Sequence, residues 1–231
     1  MAPGEVSKRI VKKASKMLNP IEKFACLPAY EDRKALDGYS NPLYTLGLFL
    51  IPNLFFFYIF ALYSSPLYRK IISFETFWAT HLSGEQMKWV FDLFSENMFT
   101  LYSMSQWGWD PESKRQELSA TTARFIIAKN DKGERIGYTH YRFDVDHEFP
   151  VIYCYEIQVV ETYQKKGIGT MLIHILETLG ERTGMEKIMA TVFAFNEKSL
   201  GFFHKLGYET DVTCPDENQG RDYLILSKTL I

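Results

Sequence analysis

The chain has 231 residues, with 46% apolar and 23% charged side chains. Those proportions are globular and exclude a wholly disordered or fibrous protein. The formal net charge of −2 excludes a generic nucleic-acid-coating protein, which would be strongly basic.

At roughly 150 residues per domain, the length predicts one globular unit with something added. Cys26, Cys154 and Cys214 are far apart and odd in number, so they form neither a metal-ligand motif nor a disulfide framework. That usage suits a reducing compartment.

Residues 1–37 form a polar head whose first part is basic, with Lys8, Arg9, Lys12, Lys13 and Lys16. It reads as a solvated tail or helix, or as a nuclear-targeting or nucleosome-contacting segment. Residues 38–71 are apolar and carry no charge before Arg69. Their centre, LGLFLIPNLFFFYIFAL, sits at the short end of a membrane span, and Pro52-Asn53 interrupts it. It starts too late to be a signal peptide. Three readings stand: a membrane anchor, a buried insert, or a retained intron translated from AT-rich codons.

Residues 72–231 read as one α/β unit. Residues 83–105 carry apolar side chains at Trp89, Val90, Leu93, Phe94, Met98, Leu101 and Tyr102, the spacing of an amphipathic helix. Ser83 with Gln86 suits a capping box. Strands are expected at 122–128 and 136–145, with Asp131-Lys132-Gly133 as their turn, and a third at 151–160. A helix over 169–182, a strand over 187–193, a helix over 196–206 stopped by Gly207, and a strand over 221–229 complete the order.

The motif with chemistry in it is the turn Gln164-Lys165-Lys166-Gly167-Ile168-Gly169, between a strand and a helix. A glycine-rich turn opening a helix aims several backbone N–H groups, and the positive end of the helix dipole, at one place. That suits a phosphate or pyrophosphate. The Walker spacing is absent, and only two of the three Rossmann glycines are present. Taken alone, such a turn is often only a turn.

Its context is more specific. The pattern [QR]-x-x-G-x-[GA] between strand and helix resembles the acetyl-CoA loop of the GNAT superfamily of N-acetyltransferases. Lys187-Ile-Met-Ala-Thr-Val-Phe193, then Asn196, Ser199, Phe202-Phe203 and Leu206-Gly207-Tyr208, resembles that superfamily's next segment. Within it, Tyr102-Ser-Met-Ser-Gln-Trp107-Gly-Trp109, Tyr141-Arg-Phe-Asp144 and Tyr153-Cys-Tyr155-Glu156-Ile-Gln158 resemble the NatD family, the N-terminal acetyltransferases of histone H4 and the type A histone of the H2 class. The similarity runs from about residue 72 to the C-terminus, with a weaker match at Asn19-Pro20-Ile21-Glu22. That family has nothing corresponding to 38–71, which favours the intron reading.

The resemblance implies an α/β GNAT fold: a mixed, mostly antiparallel central sheet, splayed at the acetyl-CoA site and flanked by helices. It implies acetyl-CoA as co-substrate, with pyrophosphate on the backbone of Lys165, Lys166, Gly167, Ile168, Gly169 and Thr170. It places the pantetheine arm along Ile157, Gln158 and Val159, and adds Asn196 to the cofactor site. An oxyanion donor is expected at a backbone N–H near Ile157.

Glu156 is the one ionisable carboxylate within its apolar strand; burial would raise its pKa and suit it to accept a proton. It also matches the family's proposed base. Strict alternation would put Tyr153, Tyr155 and Ile157 on one strand face and Cys154, Glu156 and Gln158 on the other. Tyr102, Trp107, Asp144, Tyr153, Tyr155, Thr191, Thr213 and Tyr223 fall on substrate-pocket positions of the family. A carboxylate near the mouth complements the arginine of a Ser-Gly-Arg-Gly-Lys tail, while aromatic walls exclude bulkier N-termini.

The segment Phe202-Phe203-His204 offers no tyrosine acid, so the leaving thiolate takes its proton from elsewhere, such as water. No metal is called for. The expected partners are histone tails, without direct nucleic-acid readout, and a membrane only if 38–71 is genuine. A monomer in nucleus and cytoplasm is expected. The rival is a GNAT enzyme that acetylates lysine side chains or a small-molecule amine.

Overall fold

The computed structural model describes residues 3–23, 61–65, 68–216 and 219–230. Most of the apolar segment, residues 38–60 included, lies outside these residues, as does Cys26. Helices α1 (Pro3–Ser15) and α2 (Pro20–Lys23) come first. Strands β1 (Ala61–Ser65) and β2 (Tyr68–Trp78) follow, then α3 (Gly84–Met104) and α4 (Pro111–Leu118). Next come β3 (Arg124–Lys129), β4 (Arg135–Asp146), β5 (Phe149–Val159) and α5 (Ile168–Thr183). The chain ends with β6 (Lys187–Phe193), α6 (Glu197–Lys205), β7 (Glu209–Thr210) and β8 (Tyr223–Thr229).

The strands form one sheet in the order β1-β2-β3-β4-β5-β6-β8-β7. Only β5 and β6 run parallel; α5 makes the crossover between them, as a parallel pair requires. The expected mixed, mostly antiparallel α/β architecture is therefore present. β2 crosses the boundary read at residue 72: its part before Ser73 pairs with β1, and Ser73–Trp78 pairs with β3. Among the described residues, no helix is long and apolar enough to cross a membrane.

Each face of the sheet has its own core. On one, Leu172, Ile173, Leu176 and Leu179 of α5 pack with Ile152, Cys154 and Ile188, and Ala14 of α1 joins them. The basic head is thus no free tail: Ser7 and Ala14 of α1 are buried, while Lys8, Arg9, Lys12, Lys13 and Lys16 stay exposed. On the other face, Val90, Phe91 and Leu93 of α3 and Leu118 of α4 pack with Phe125, Ile127 and Tyr138. The capping box at Ser83 and Gln86 is formed in both directions.

Two features position the site. β5 pairs with β6 only from Val151 to Cys154, so the rest of β5 parts from its parallel neighbour. Between β4 and β5, His140 pairs with Glu156 and Tyr141 with Cys154, which leaves Tyr155 as the extra residue of a β-bulge. The bulge shifts the side-chain phase. Ile152 and Cys154 share the α5 face with Ile157 and Val159, while Tyr155, Glu156 and Gln158 address the opposite face. Strict alternation along this strand is thereby corrected.

Candidate active site

A cavity of about 390 Å³ opens where β5 and β6 part. Tyr102, Trp107, Tyr153, Tyr155, Glu156, Ile157, Gln158, Thr191 and Asn196 line it. These are nine of the residues expected from the sequence, drawn from α3, its following loop, β5, β6 and the start of α6.

Glu156 is buried on the cavity wall. Its Oε1 accepts from Lys114 Nζ at 2.9 Å, and its Oε2 accepts from Gln158 Nε2 at 2.7 Å. Asn97 of α3 holds Gln158 in turn, donating to its Oε1 at 3.0 Å. Burial pushes the Glu156 carboxyl above the usual carboxylate range, against the opposing pull of Lys114. Lys114 also donates to Glu117 Oε1 at 2.8 Å. Desolvation would lower the pKa of this ammonium, but Glu156, Tyr102 and Glu117 outweigh it and hold the charge.

Lys114 and Glu117 were not anticipated. The signal for their helix was present: Asp110-Pro111 is an N-cap followed by proline at the first helical position. Asp110 Oδ1 accepts from Glu112 N at 3.1 Å and Ser113 N at 3.0 Å.

Aromatic rings make the rest of the wall. Trp107 is half-exposed and packs 5.1 Å from Phe193, 5.3 Å from Tyr223 and 6.1 Å from Tyr102. Burial, aided by the Glu156 charge, pushes the Tyr102 phenol up to about 12. Tyr155 stacks 5.0 Å from the His140 ring, with the Arg142 guanidinium 4.3 Å from its own centroid. Burial, Arg142 and Lys114 push His140 well down, so it is neutral. Gln106 ties the loop after α3 to the approach to β8: its N donates to Asp222 Oδ2 at 2.6 Å, and its Nε2 to Gly220 O at 2.7 Å.

The cofactor turn follows β5. Lys165 and Gly167 have φ of 58° and 84°, in the left-handed region. Gly167 is the N-cap of α5 with no side chain capping it. The first N–H groups of α5 therefore face out of the helix end unclaimed by the helix itself, as an anion cradle requires. Lys166 turns away, donating to Thr162 O. Thr170 lies in the first turn of α5, and Val159 ends β5 just before this segment.

Three expected substrate residues lie off the cavity wall. Asp144 is exposed and accepts from its neighbour Val145 N at 2.8 Å. Thr213 spends its hydroxyl on Asp211, at 2.7 Å from Oδ1. Tyr223 stands behind Trp107. Asn196 lines the cavity but also caps α6, its Oδ1 accepting from Ser199 N at 3.2 Å. Among the described residues, no group of His, Cys, Asp and Glu side chains is placed to hold a metal ion.

A glycine-rich turn at the head of α5, a parallel strand pair that parts beside it and a carboxylate on the resulting cavity wall define an acyl-transferase of the GNAT type. Residues 89–208 match the model of the acetyltransferase (GNAT) family, and the chain belongs to it. The uncharacterized N-acetyltransferase YdgE of Bacillus subtilis is 29% identical over 79 residues, which are 34% of this chain and 50% of that protein. The match thus spans half the length of that curated relative.

Solved structures share the fold. A GNAT-family protein from Desulfovibrio desulfuricans is 17% identical, covering 69% of this chain and 99% of that one at a TM-score of 0.54. A GNAT acetyltransferase from Staphylococcus aureus Mu50 is 11% identical, covering 69% and 100% at 0.52. The paiA N-acetyltransferase of Thermoplasma acidophilum, in complex with coenzyme A, is 16% identical, covering 68% and 99% at 0.50. At these identities the likeness speaks for the fold alone.

Proposed function

We propose that this acetyltransferase is a protein N-terminal α-amino acetyltransferase of NatD type. Its acceptors are the N-terminal serines of histone H4 and the type A histone of the H2 class, met as a monomer in nucleus and cytoplasm. Acetyl-CoA supplies the activated acetyl group as a thioester. The Lys165–Thr170 backbone and the unpaired edge of β5 beyond Cys154 fit its pyrophosphate and pantetheine arm.

The observation that carries the reading is the bridge from Gln106 to Gly220 and Asp222 beside the aromatic wall of Tyr102, Trp107 and Phe193, with Tyr223 behind Trp107. Tying down the loop that carries Trp107 fixes this wall of the cavity, which favours a chain end with small residues over a side chain presented from a continuous strand. The aromatic walls reject bulky first residues by clash.

Transfer requires a neutral amine. Glu156 takes the proton the amine gives up, directly or through a water, as the N–H bond breaks. The phenyl rings at Phe202 and Phe203 offer no proton to the departing thiolate, so solvent supplies it. Asp144 and Asp146, at the end of β4, lend negative potential for a basic tail.

The test is a panel of Ser-Gly-Arg-Gly-Lys peptides with free and blocked N-termini, together with small amines. Acetylation of the free N-terminus, abolished by blocking it, is the expected result. Equal acetylation of the blocked peptide at lysine, or turnover restricted to small amines, overturns the reading in favour of the rival.

A further inference from the structure

The cavity wall holds a cation that no acetyl-transfer role has yet claimed. Lys114 projects from the first turns of α4, a helix fixed at its start by the Asp110 cap. Its side chain is 8% exposed, yet it lines the cavity. The ammonium reaches two carboxylates, Glu156 at 2.9 Å and Glu117 at 2.8 Å. The Phe94 and Tyr102 ring centroids lie 4.7 and 5.3 Å away.

Burying a lysine is costly, and an apolar side chain of similar volume would anchor α4 to the sheet at least as well. The placement therefore asks for a use of the charge. Glu117 supplies the clue. With both carboxylates ionised, the three groups carry a net charge of −1; when Glu156 gains a proton, Lys114 and Glu117 still balance each other. The cluster thus passes from a net charge of −1 to neutrality on taking up one proton, and Lys114 keeps a carboxylate partner at both stages.

We propose that Lys114 is a positioning residue for the proton acceptor: it holds the Glu156 carboxylate ionised and fixed at the cavity wall, with Glu117 as the counter-charge that takes over when Glu156 is protonated. This rests on the reading of Glu156 as the group that accepts the amine proton. In the step concerned, an N–H bond of the amine breaks, an O–H bond forms on Glu156, and the proton later passes to solvent.

The other groups facing the cluster do not substitute for Lys114. From β4, His140 is neutral, and Arg142 is engaged with the Glu117 backbone oxygen at 2.7 Å. Also from β4, the Tyr138 phenol is buried and raised, so it stays un-ionised. From α3, Tyr102 is un-ionised and Asn97 is bound to Gln158. From β5, Gln158 donates to the other oxygen of Glu156. Among the described residues, Lys114 is the cation in direct contact with the carboxylate.

The experiment has two readouts on the full chain. The first is the Glu156 protonation midpoint, read by carboxylate ¹³C NMR and assigned by difference against Glu156→Gln. The second is kcat/KM against pH for the Ser-Gly-Arg-Gly-Lys peptide. Lys114→Met is expected to raise the midpoint by at least about one pH unit and move the acidic limb upward with it, a tenfold loss of kcat/KM at pH values below both midpoints. Lys114→Arg, which keeps the cation, is expected to restore both to within about half a unit.

A structural anchor would instead lower activity at all pH values, with the midpoint and limb unmoved, and that outcome overturns the proposal. The NMR midpoint is read on folded protein and does not depend on the acceptor. If Glu156→Gln keeps wild-type rates while Lys114→Met still moves the midpoint, the reading of Glu156 has failed, and the catalytic meaning of Lys114 is overturned with it.

Discussion

The Tyr153 and Thr191 hydroxyls lie 2.5 Å apart, joining β5 to β6 where their backbones stop pairing. The last backbone rung is Cys154 with Ala190, so this side-chain bond is the final link before the strands part around the cavity. Burial pushes the Tyr153 phenol up to about 12, so the link is between two neutral hydroxyls. Such a bond contributes about 1 kcal/mol net. Tyr153→Phe and Thr191→Val are each expected to cost about that much in urea unfolding. The double variant is expected to cost clearly less than the sum. Strict additivity would mean that the two hydroxyls do not stabilise each other.

The cofactor turn offers a backbone test. Gly167 sits at a φ of 84°, which a β-branched residue strongly resists, whereas Lys165 is exposed and its side chain is expendable if the cradle is made of N–H groups. Gly167→Val is expected to weaken acetyl-CoA binding by about tenfold or more, and Lys165→Ala by only a few-fold. Gly169 differs in kind: a Cβ there would come within 3.3 Å of the Phe202 ring, so its substitution acts through packing. Calorimetric titration of folded variants checks the ranking. Equal losses at 165 and 167 would give the lysine charge the larger role.

How much of this was legible beforehand differs from element to element. The capped helix α3 and the strand β6 announce themselves through local pattern, and their boundaries fall within a residue of expectation. The pairing of Glu156 with Lys114 did not. It depends on a bulge at Tyr155 that turns Glu156 toward α4, and a bulge is a property of register between strands, invisible to alternation within one of them. α4 itself reads PESKRQEL, too polar for any apolar stripe, so its start signal had no periodicity to support it. Thr213 is a different case. The resemblance implied a pocket residue; in the structure a local Asp211 takes its hydroxyl, and short polar side chains in turns bond their neighbours first.

Asp211 gives a pH dependence whose sign follows from its partners. Burial alone would raise its pKa, but hydrogen bonds from Lys187 at 2.6 Å and from Thr213 hold it well below the usual carboxylate range. A folded-state pKa below the unfolded value of about 3.9 adds stability that is full above that value and is lost as pH falls toward the folded pKa. Thermal stability is therefore expected to drop below about pH 4. Asp211→Asn is expected to be less stable at neutral pH and to show a shallower acid slope. An unchanged slope would assign the acid sensitivity to other carboxylates.

The sheet itself bears on the apolar segment. β1 pairs with β2 only from Tyr68 to Ile72, and β2 pairs with β3 only from Ser73 onward. The change of partner falls at the point where the sequence resemblance resumes. A chain that lacks residues 39–71 keeps Ile72, which is buried in the core, and keeps every rung between β2 and β3 from Ser73 to Trp78. Removing this apolar run, which carries no charge before Arg69, also removes surface that, in water, promotes association. The shortened chain is therefore expected to be at least as active in acetyl transfer and more soluble, with no membrane association left. Sequencing of transcripts is expected to show a form joining a codon near 38 to one near 73. Activity and sedimentation of the two chains side by side, with carbonate extraction of the full-length protein from membranes, decide the matter. Transcripts that uniformly retain the segment, with full-length protein that resists carbonate, would overturn the intron reading and establish an anchor.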